Sequence, residues 1–179
     1  MIEIPAWAHM SPARRAHAQR AAIILWRWAE AMGAAPRERD RWLRAAALHD
    51  AMKDAPRDLL EELAPEAWGI DALRHGPAAA EMAAREGERD RGVLDAVRYH
   101  SVGYAGWDDV GRMLYLADYL EPGRDFELPD RDALVAAVPR ERDRVLCAVT
   151  NLRLDVLRER GREPLPISLE FRESLACAG

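Results

Sequence analysis

Lysine is almost missing from this 179-residue chain: of its 26 basic residues, every one but Lys53 is arginine. The bias reflects a genome that favours arginine codons. Where drift toward arginine is that strong, a lysine kept four residues after His49 points to a need for a compact ammonium, with chance survival as the plain alternative. Cysteine is nearly as scarce, with only Cys147 and Cys177. Their spacing is not that of metal ligands, and so few make a disulfide framework unexpected. Long apolar runs are missing too. The longest, Ala21 to Trp26, is broken at once by Arg27 and falls far short of the ~20 residues that span a bilayer. The N-terminus, Met1-Ile2-Glu3-Ile4-Pro5, has neither the basic region nor the apolar stretch of a signal peptide, so a cytoplasmic location without a membrane partner is expected. An excess of positive charge is also absent. The net charge is −5 with a pI near 5.6, which argues against a general nucleic-acid binder and requires any anionic substrate to meet local positive charge. No P-loop, GxGxxG after a strand, HExxH or CxxC occurs, removing the usual routes to NTPase, dehydrogenase, zincin and thiol chemistry.

Alternating β-branched runs are absent as well, and the segments that remain read as helices, so the fold class is all-α. Ser11-Pro12 is a start signal for a helix that runs to about Met32 and stops at Gly33. On it His17, Ala21, Ile24 and Trp28 share one stripe. Ala35-Pro36 opens a second helix whose inward positions Trp42, Ala45 and Ala46 lead to His49 and Asp50 at its end. Pro56 and Pro65 bracket a short helix. Gly76-Pro77 start another, to about Glu86, with His75 at its N-terminus, where anions are favoured. Asp90 caps a helix on which Val93, Val97 and His100 share a face. After the glycine loop 101–106, Asp108 or Asp109 begins an apolar helix to about Leu120 that carries Asp118. A short helix near 130–138 and a long one from Pro139 to Gly161 follow. Residues 1–179 read as a single domain with its core at about 11–160 and an extended tail at 161–179, one last turn allowed after Ser168.

His17, His49-Asp50, His75, His100 and Asp118 thus fall near helix ends or on inward stripes, and they include four of the chain's five histidines. Burial explains any one of them as a core histidine bonded to a carbonyl. It explains the set less well, because polar groups facing inward from five helices must satisfy one another, and a shared cation does so. Imidazole with carboxylate suits Fe, Mn, Co, Ni or Zn.

The order H…HD…D resembles the HD-domain phosphohydrolase superfamily. Within it, Arg14-Arg15-Ala16-His17, Leu48-His49-Asp50-Ala51-Met52-Lys53, His75-Gly76-Pro77, Tyr99-His100-Ser101-Val102-Gly103 and the string from Tyr115 to Phe126 are similar to the YqeK family of bacterial symmetrical diadenosine tetraphosphate hydrolases, from about Arg14 to Pro166. The resemblance implies a helical bundle that splits the dinucleotide into two ADP. It implies that His17, His49, Asp50 and Asp118 ligate a divalent metal, commonly iron in that family. It also implies that Lys53, His75, His100, Ser101 and Arg124, beside Asp118, contact the phosphates. Ser101 stands where threonine is frequent, which keeps the hydroxyl. The charged segment after Phe126 leaves the base and ribose contacts unassigned.

The expected mechanism uses a metal-bound water as nucleophile, with Lys53 and Arg124 neutralising phosphate charge and His75 or His100 protonating the leaving oxygen. Alternatives are a second metal on His75 and His100, another HD phosphohydrolase acting on nucleoside mono- or diphosphates, and a non-catalytic nucleotide-binding helical module. Tyr104 and Trp107 are candidates either to stack on adenine or to cover the core. The number of subunits stays open, a homodimer among the options.

Overall fold

The computed structural model describes residues 1–124 and 130–177. Ser11 accepts a hydrogen bond from the Arg14 N–H and Pro12 occupies the first turn of α1 (Pro12–Met32), which Gly33 closes in a left-handed conformation at φ 65°. A proline whose missing N–H is harmless at a helix start and a glycine free to adopt positive φ at its end set this element's length. Next come α2 (Pro36–Leu48), α3 (Arg57–Leu63), two single 3₁₀ turns at Ala67–Gly69 and Asp71–Leu73, α4 (His75–Arg85), α5 (Arg91–Tyr99), α6 (Asp109–Leu120), α7 (Arg131–Glu159) and α8 (Pro166–Ser174). Among the described residues there is no strand, and none of their helices is long and apolar enough to cross a membrane.

The bundle is arranged around α6, which is buried at every position except Asp109, Arg112 and Tyr119 and packs against α1, α2, α5 and α7. One apolar cluster joins these helices through Leu25, Trp28, Trp42, Val93, Leu114 and Leu146, and a second joins Ala18, Met52, Leu63, Ala79 and Val97. A fully buried side chain such as Leu25 or Leu114 contributes about 1.5–3 kcal/mol. The two clusters leave a polar seam between them, and it contains the histidines. Gly76 matters for that seam. A Cβ there would lie 2.9 Å from the Arg98 carbonyl oxygen, so only glycine lets α4 approach α5 closely enough to bring His75 to His100.

The two helices expected at 130–138 and from Pro139 are the two arms of α7, which meet at a kink where the backbone leaves helical geometry at Glu141 (φ −134°, ψ 36°), just after Pro139. Proline removes one hydrogen bond and bends a helix there. Two other expectations are corrected. The tail is not extended, because Pro166 opens α8 and Phe171 docks edge-on against Trp107 and Tyr115 at 5.1 and 5.4 Å. A nine-residue helix is marginal by itself, and tertiary burial of one aromatic decides it. The cysteines are not free. α8 folds back on α7 and Cys147 is disulfide-bonded to Cys177, 30 residues away in sequence, a closure that cysteine count could not show. Trp107, 5% exposed and donating to the Asp95 carbonyl, belongs to the core and is not a stacking platform, while Tyr104 stacks on Tyr99 at 4.4 Å.

Candidate metal centre

Helices α1, α4, α5 and α6 each deliver one chemical group to the seam, and α2 delivers two. His17 comes from the second turn of α1, and His49 and Asp50 from the turn that ends α2. That turn is pinned by the N-terminal segment, because the His9 N–H donates to the Ala51 carbonyl and the Asp54 N–H to the His9 carbonyl, at 2.7 and 3.0 Å. His75 opens α4, His100 follows α5, and Asp118 lies near the end of α6. All six side chains are buried.

One device aims three of the imidazoles. The Nδ1 atoms of His49, His75 and His100 lie 2.9, 2.9 and 2.8 Å from the carbonyl oxygens of Ala46, Ala72 and Val97, each three residues earlier. An N–H given to a carbonyl fixes the tautomer and leaves Nε2 as a bare acceptor pointing into the seam. His17 uses a side chain instead: its Nδ1 lies 3.0 Å from Glu121 Oε1.

The Nε2 atoms then meet. His17 Nε2 is 3.1 Å from His49 Nε2 and 3.1 Å from Asp118 Oδ1, while Asp50 Oδ2 is 4.0 and 3.9 Å from the two ring nitrogens and Asp118 Oδ1 is 3.8 Å from His49 Nε2. Two ligand atoms about 2.0–2.1 Å from one ion and at right angles to each other stand about 2.9 Å apart, so the spacing suits a shared cation. So does the chemistry. Lone pairs of nitrogen and carboxylate oxygen facing each other in a buried space repel unless a proton or a cation stands among them. His17, His49 and Asp50 form one such group, and Asp50, His75 and His100 form another. In the second, Asp50 Oδ1 is 3.3 Å from His75 Nε2 and 3.6 Å from His100 Nε2, and the two ring nitrogens are 3.1 Å apart. Asp50 therefore offers one oxygen to each group.

The electrostatics follow the geometry. Burial alone would lower the pKa of His17, but its bonds to Asp118 and Glu121 outweigh it and raise the value to about 9. Burial pushes His49 and His75 down to about 4. Asp50 and Asp118 sit well below the usual carboxylate range although burial opposes it, held there by the imidazoles and, for Asp118, above all by the Arg124 guanidinium. Burial also lowers the pKa of Lys53, whose Nζ is 3.2 Å from His75 Nε2.

The residues expected to meet phosphate gather here with one difference. Ser101 Oγ stands 3.1 Å from His100 Nε2 and Lys53 beside His75. Arg124, however, is folded onto Asp118, donating from Nε to its carbonyl at 2.8 Å and from Nη2 to its carboxylate. Asp125 and Phe126, the end of the family-like string, lie outside the described residues. Glu121 went unread: it is fully buried, accepts from His17 and from Arg20 Nε at 2.5 Å, and its signal was a glutamate placed between an apolar helix and Pro122-Gly123. Arg153 also went unread, since nothing marks it among 25 arginines.

Two clefts reach the centre. One, of about 270 Å³, is bounded by α6, α7 and the Ser101 loop. The other, of about 540 Å³, is lined by Arg14, His17, Arg20, Asp54, Glu121 and Arg124.

The HD domain family matches residues 14–123. A symmetrical bis(5'-nucleosyl)-tetraphosphatase of Bacillus subtilis is 33% identical over 96 residues, 46% of this chain and 48% of that protein. A protein of the same name from Staphylococcus aureus is 39% identical over 58 residues, 32% and 29% of the two chains. The chain thus spans about half the length, or less, of the curated relatives it matches. The crystal structure of a predicted HD superfamily hydrolase involved in NAD metabolism from Clostridium acetobutylicum has a TM-score of 0.80 at 23% identity, covering 93% of this chain and 90% of that one, which is a likeness of fold.

Proposed function

Because this chain belongs to the HD domain family, we propose that it is a single-domain, metal-dependent phosphohydrolase that splits diadenosine tetraphosphate symmetrically into two ADP. The observation that carries the metal is the approach of His17 Nε2 to His49 Nε2 at 3.1 Å with Asp118 Oδ1 equally near, two ring nitrogens and a carboxylate oxygen that a shared cation would hold together. His17, His49, Asp50 and Asp118 hold the ion, with iron as the first choice and Mn, Co, Ni or Zn compatible with the same donors. When bound, such an ion supplies Lewis acidity to the phosphoryl group and acidifies the attacking water. The names of the curated relatives support the substrate.

The chain's own residues do the rest. Phosphoryl transfer asks mainly for positioning and for neutral charge around the equatorial oxygens. Lys53 supplies a buried ammonium, and Arg124 turns from Asp118 to a phosphate oxygen when substrate enters. His75, with Nδ1 committed to the Ala72 carbonyl, shares one proton with Lys53, and that pair protonates the leaving oxygen. Ser101 and His100 hold the oxygen in line.

A dinuclear centre is the second reading, favoured by Asp50 Oδ1 between His75 and His100. Lys53 Nζ beside His75 Nε2 speaks for a single metal, because the ammonium already provides the positive charge a second ion would bring.

Purification under nitrogen, elemental analysis and chromatography of the products test the proposal together. One metal per chain and two ADP are expected, and His49→Ala lacks both. ATP with AMP, or inorganic phosphate released from a mononucleotide, rejects the symmetrical reaction in favour of another phosphohydrolase. Stoichiometric metal in His49→Ala rejects the site, and binding without metal-dependent turnover makes the protein a nucleotide-binding module.

A further inference from the structure

The smaller cleft shares Ser101, Asp118 and Arg124 with the chemistry above, while its other walls have no part in it. Asp118 and Arg124 close its inner end, and Val102, Leu154 and Leu157 give it apolar walls, which a polyphosphate has no use for. Arg153 reaches into it from the middle of α7. The guanidinium lies 4.3 Å over the Tyr115 ring and 5.3 Å from that of Tyr119, and Nη2 donates to the Ser101 carbonyl at 3.0 Å. Nη1 is buried without a hydrogen-bond partner among the described residues, and its counter-charge, Asp118 Oδ2, stands at 3.7 Å, longer than a hydrogen bond. Buried charged donors are almost always satisfied, and the described residues leave this guanidinium with donor capacity to spare at the inner end of the cleft. A volume of about 270 Å³ is at the lower end for small-molecule pockets, the scale of one nucleoside and not of a dinucleotide. The other mouth differs in kind: Arg14, Arg20 and Arg124 line it and its walls are polar.

We propose that the cleft between α6, α7 and the Ser101 loop seats one nucleoside of the substrate, that the partly exposed Arg153 guanidinium lining it donates to an oxygen of that nucleoside, and that the rest of the polyphosphate leaves through the Arg14–Arg20 mouth. This rests on the assignment of the site to dinucleoside polyphosphates. It makes Arg153 a specificity-determining residue and gives the two halves of a symmetrical substrate unequal seats, one apolar and one cationic.

Calorimetry on the metal-loaded protein with ADP and with inorganic pyrophosphate tests it. The wild-type chain is expected to prefer ADP, and Arg153→Met, which keeps an aliphatic contact with Tyr115, to lose about tenfold in ADP affinity with pyrophosphate affinity and metal content unchanged. Leu157→Trp, which fills the cleft from its half-buried wall, is expected to do the same, and it decides alone if Arg153→Met loses its metal. In turnover both variants raise KM more than they lower kcat. Equal affinity of the wild-type protein for ADP and pyrophosphate overturns the proposal, as does unchanged ADP binding in the variants. A parallel loss of both ligands in Arg153→Met also overturns it, since the guanidinium then serves phosphate. A protein that prefers ADP through this cleft yet yields no ADP from diadenosine tetraphosphate keeps the cleft and loses the proposed reaction.

Discussion

Glutamine at position 121 isolates the part played by a side chain that touches no substrate. Glu121 accepts four hydrogen bonds: from His17 Nδ1 at 3.0 Å, from Arg20 Nε at 2.5 Å and Nη2 at 3.2 Å, and from the Gly123 N–H at 2.7 Å. Every neighbour is a donor, and the carboxylate is fully buried. Burial alone would raise its pKa, but the bonds from His17 and Arg20 bring it down to about 2. Glu121→Gln keeps the shape and replaces one oxygen by an NH₂ group, which must then face a donor. If it faces Arg20 or Gly123, a donor meets a donor. If it faces His17, the imidazole has to accept at Nδ1 and carry its proton on Nε2, the atom needed for the metal. Loss of a carboxylate that orients a ligating histidine costs about 10–100-fold in metal affinity, or about 1.4–2.7 kcal/mol. The assay is competition for the metal against a chromophoric chelator, with turnover measured at saturating metal. Saturating metal is expected to restore most of the rate, because the ligands themselves are intact. Wild-type metal affinity in Glu121→Gln refutes the reasoning and reduces Glu121 to an anchor for the turn at Pro122-Gly123.

Metal loading is expected to release protons. Metal-free His17 has its pKa raised to about 9 and is charged at pH 7, whereas a ligand must be neutral, so each ion displaces about one proton. His49, lowered to about 4, is already neutral at that pH. Apparent affinity therefore climbs with pH through neutrality and levels off above pH 9; calorimetry in buffers of different ionisation heat counts the proton, and a pH-independent affinity between 6 and 8 contradicts it. Lys53→Arg keeps the charge but sets a planar guanidinium where Nζ now stands 3.2 Å from His75 Nε2. We expect turnover to fall by about tenfold to a hundredfold, and equal rates for the two proteins dismiss the role given to a compact ammonium. Away from the centre, Arg41 donates to Asp90, the cap of α5, at 2.7 and 2.9 Å, to Glu38 at 2.8 Å and to Asp108, the cap of α6, at 2.6 Å. Arg41→Met is expected to cost about 2 kcal/mol, seen as a drop of about 4–8 °C in thermal unfolding, with metal content unchanged; an unaltered Tm removes the network from the account of stability.

Local signals marked the helix limits that depend on local chemistry. Ser11-Pro12 and Gly33 bound α1 because capping, fixed φ and positive φ are properties of single residues and their neighbours. Asp90 and Asp108 did the same for α5 and α6. Where the outcome depended on partners far along the chain, the sequence was silent or misleading. Phe171 made a helix of the tail by reaching Trp107 and Tyr115, and Cys147 met Cys177 only because α8 turns back.

The site divides along the same line. Four histidines and two aspartates on inward stripes were visible from helical spacing, since 3.6 residues per turn puts i, i+3 and i+4 on one face. Sequence by itself determined that polar, ligand-capable groups would be buried on an all-helical scaffold, and that lysine had survived at one position. Only the tertiary structure decided which atoms face one another: that His17 Nε2 lies 3.1 Å from His49 Nε2 across 32 residues, that Glu121 orients His17 from 104 residues away, and that Arg153 Nη1 stands 3.7 Å from Asp118 Oδ2 on another helix. Periodicity fixes the direction of a side chain from its own helix axis, whereas its partner is fixed by how helices cross, and that depends on close approaches such as Gly76 against the Arg98 carbonyl.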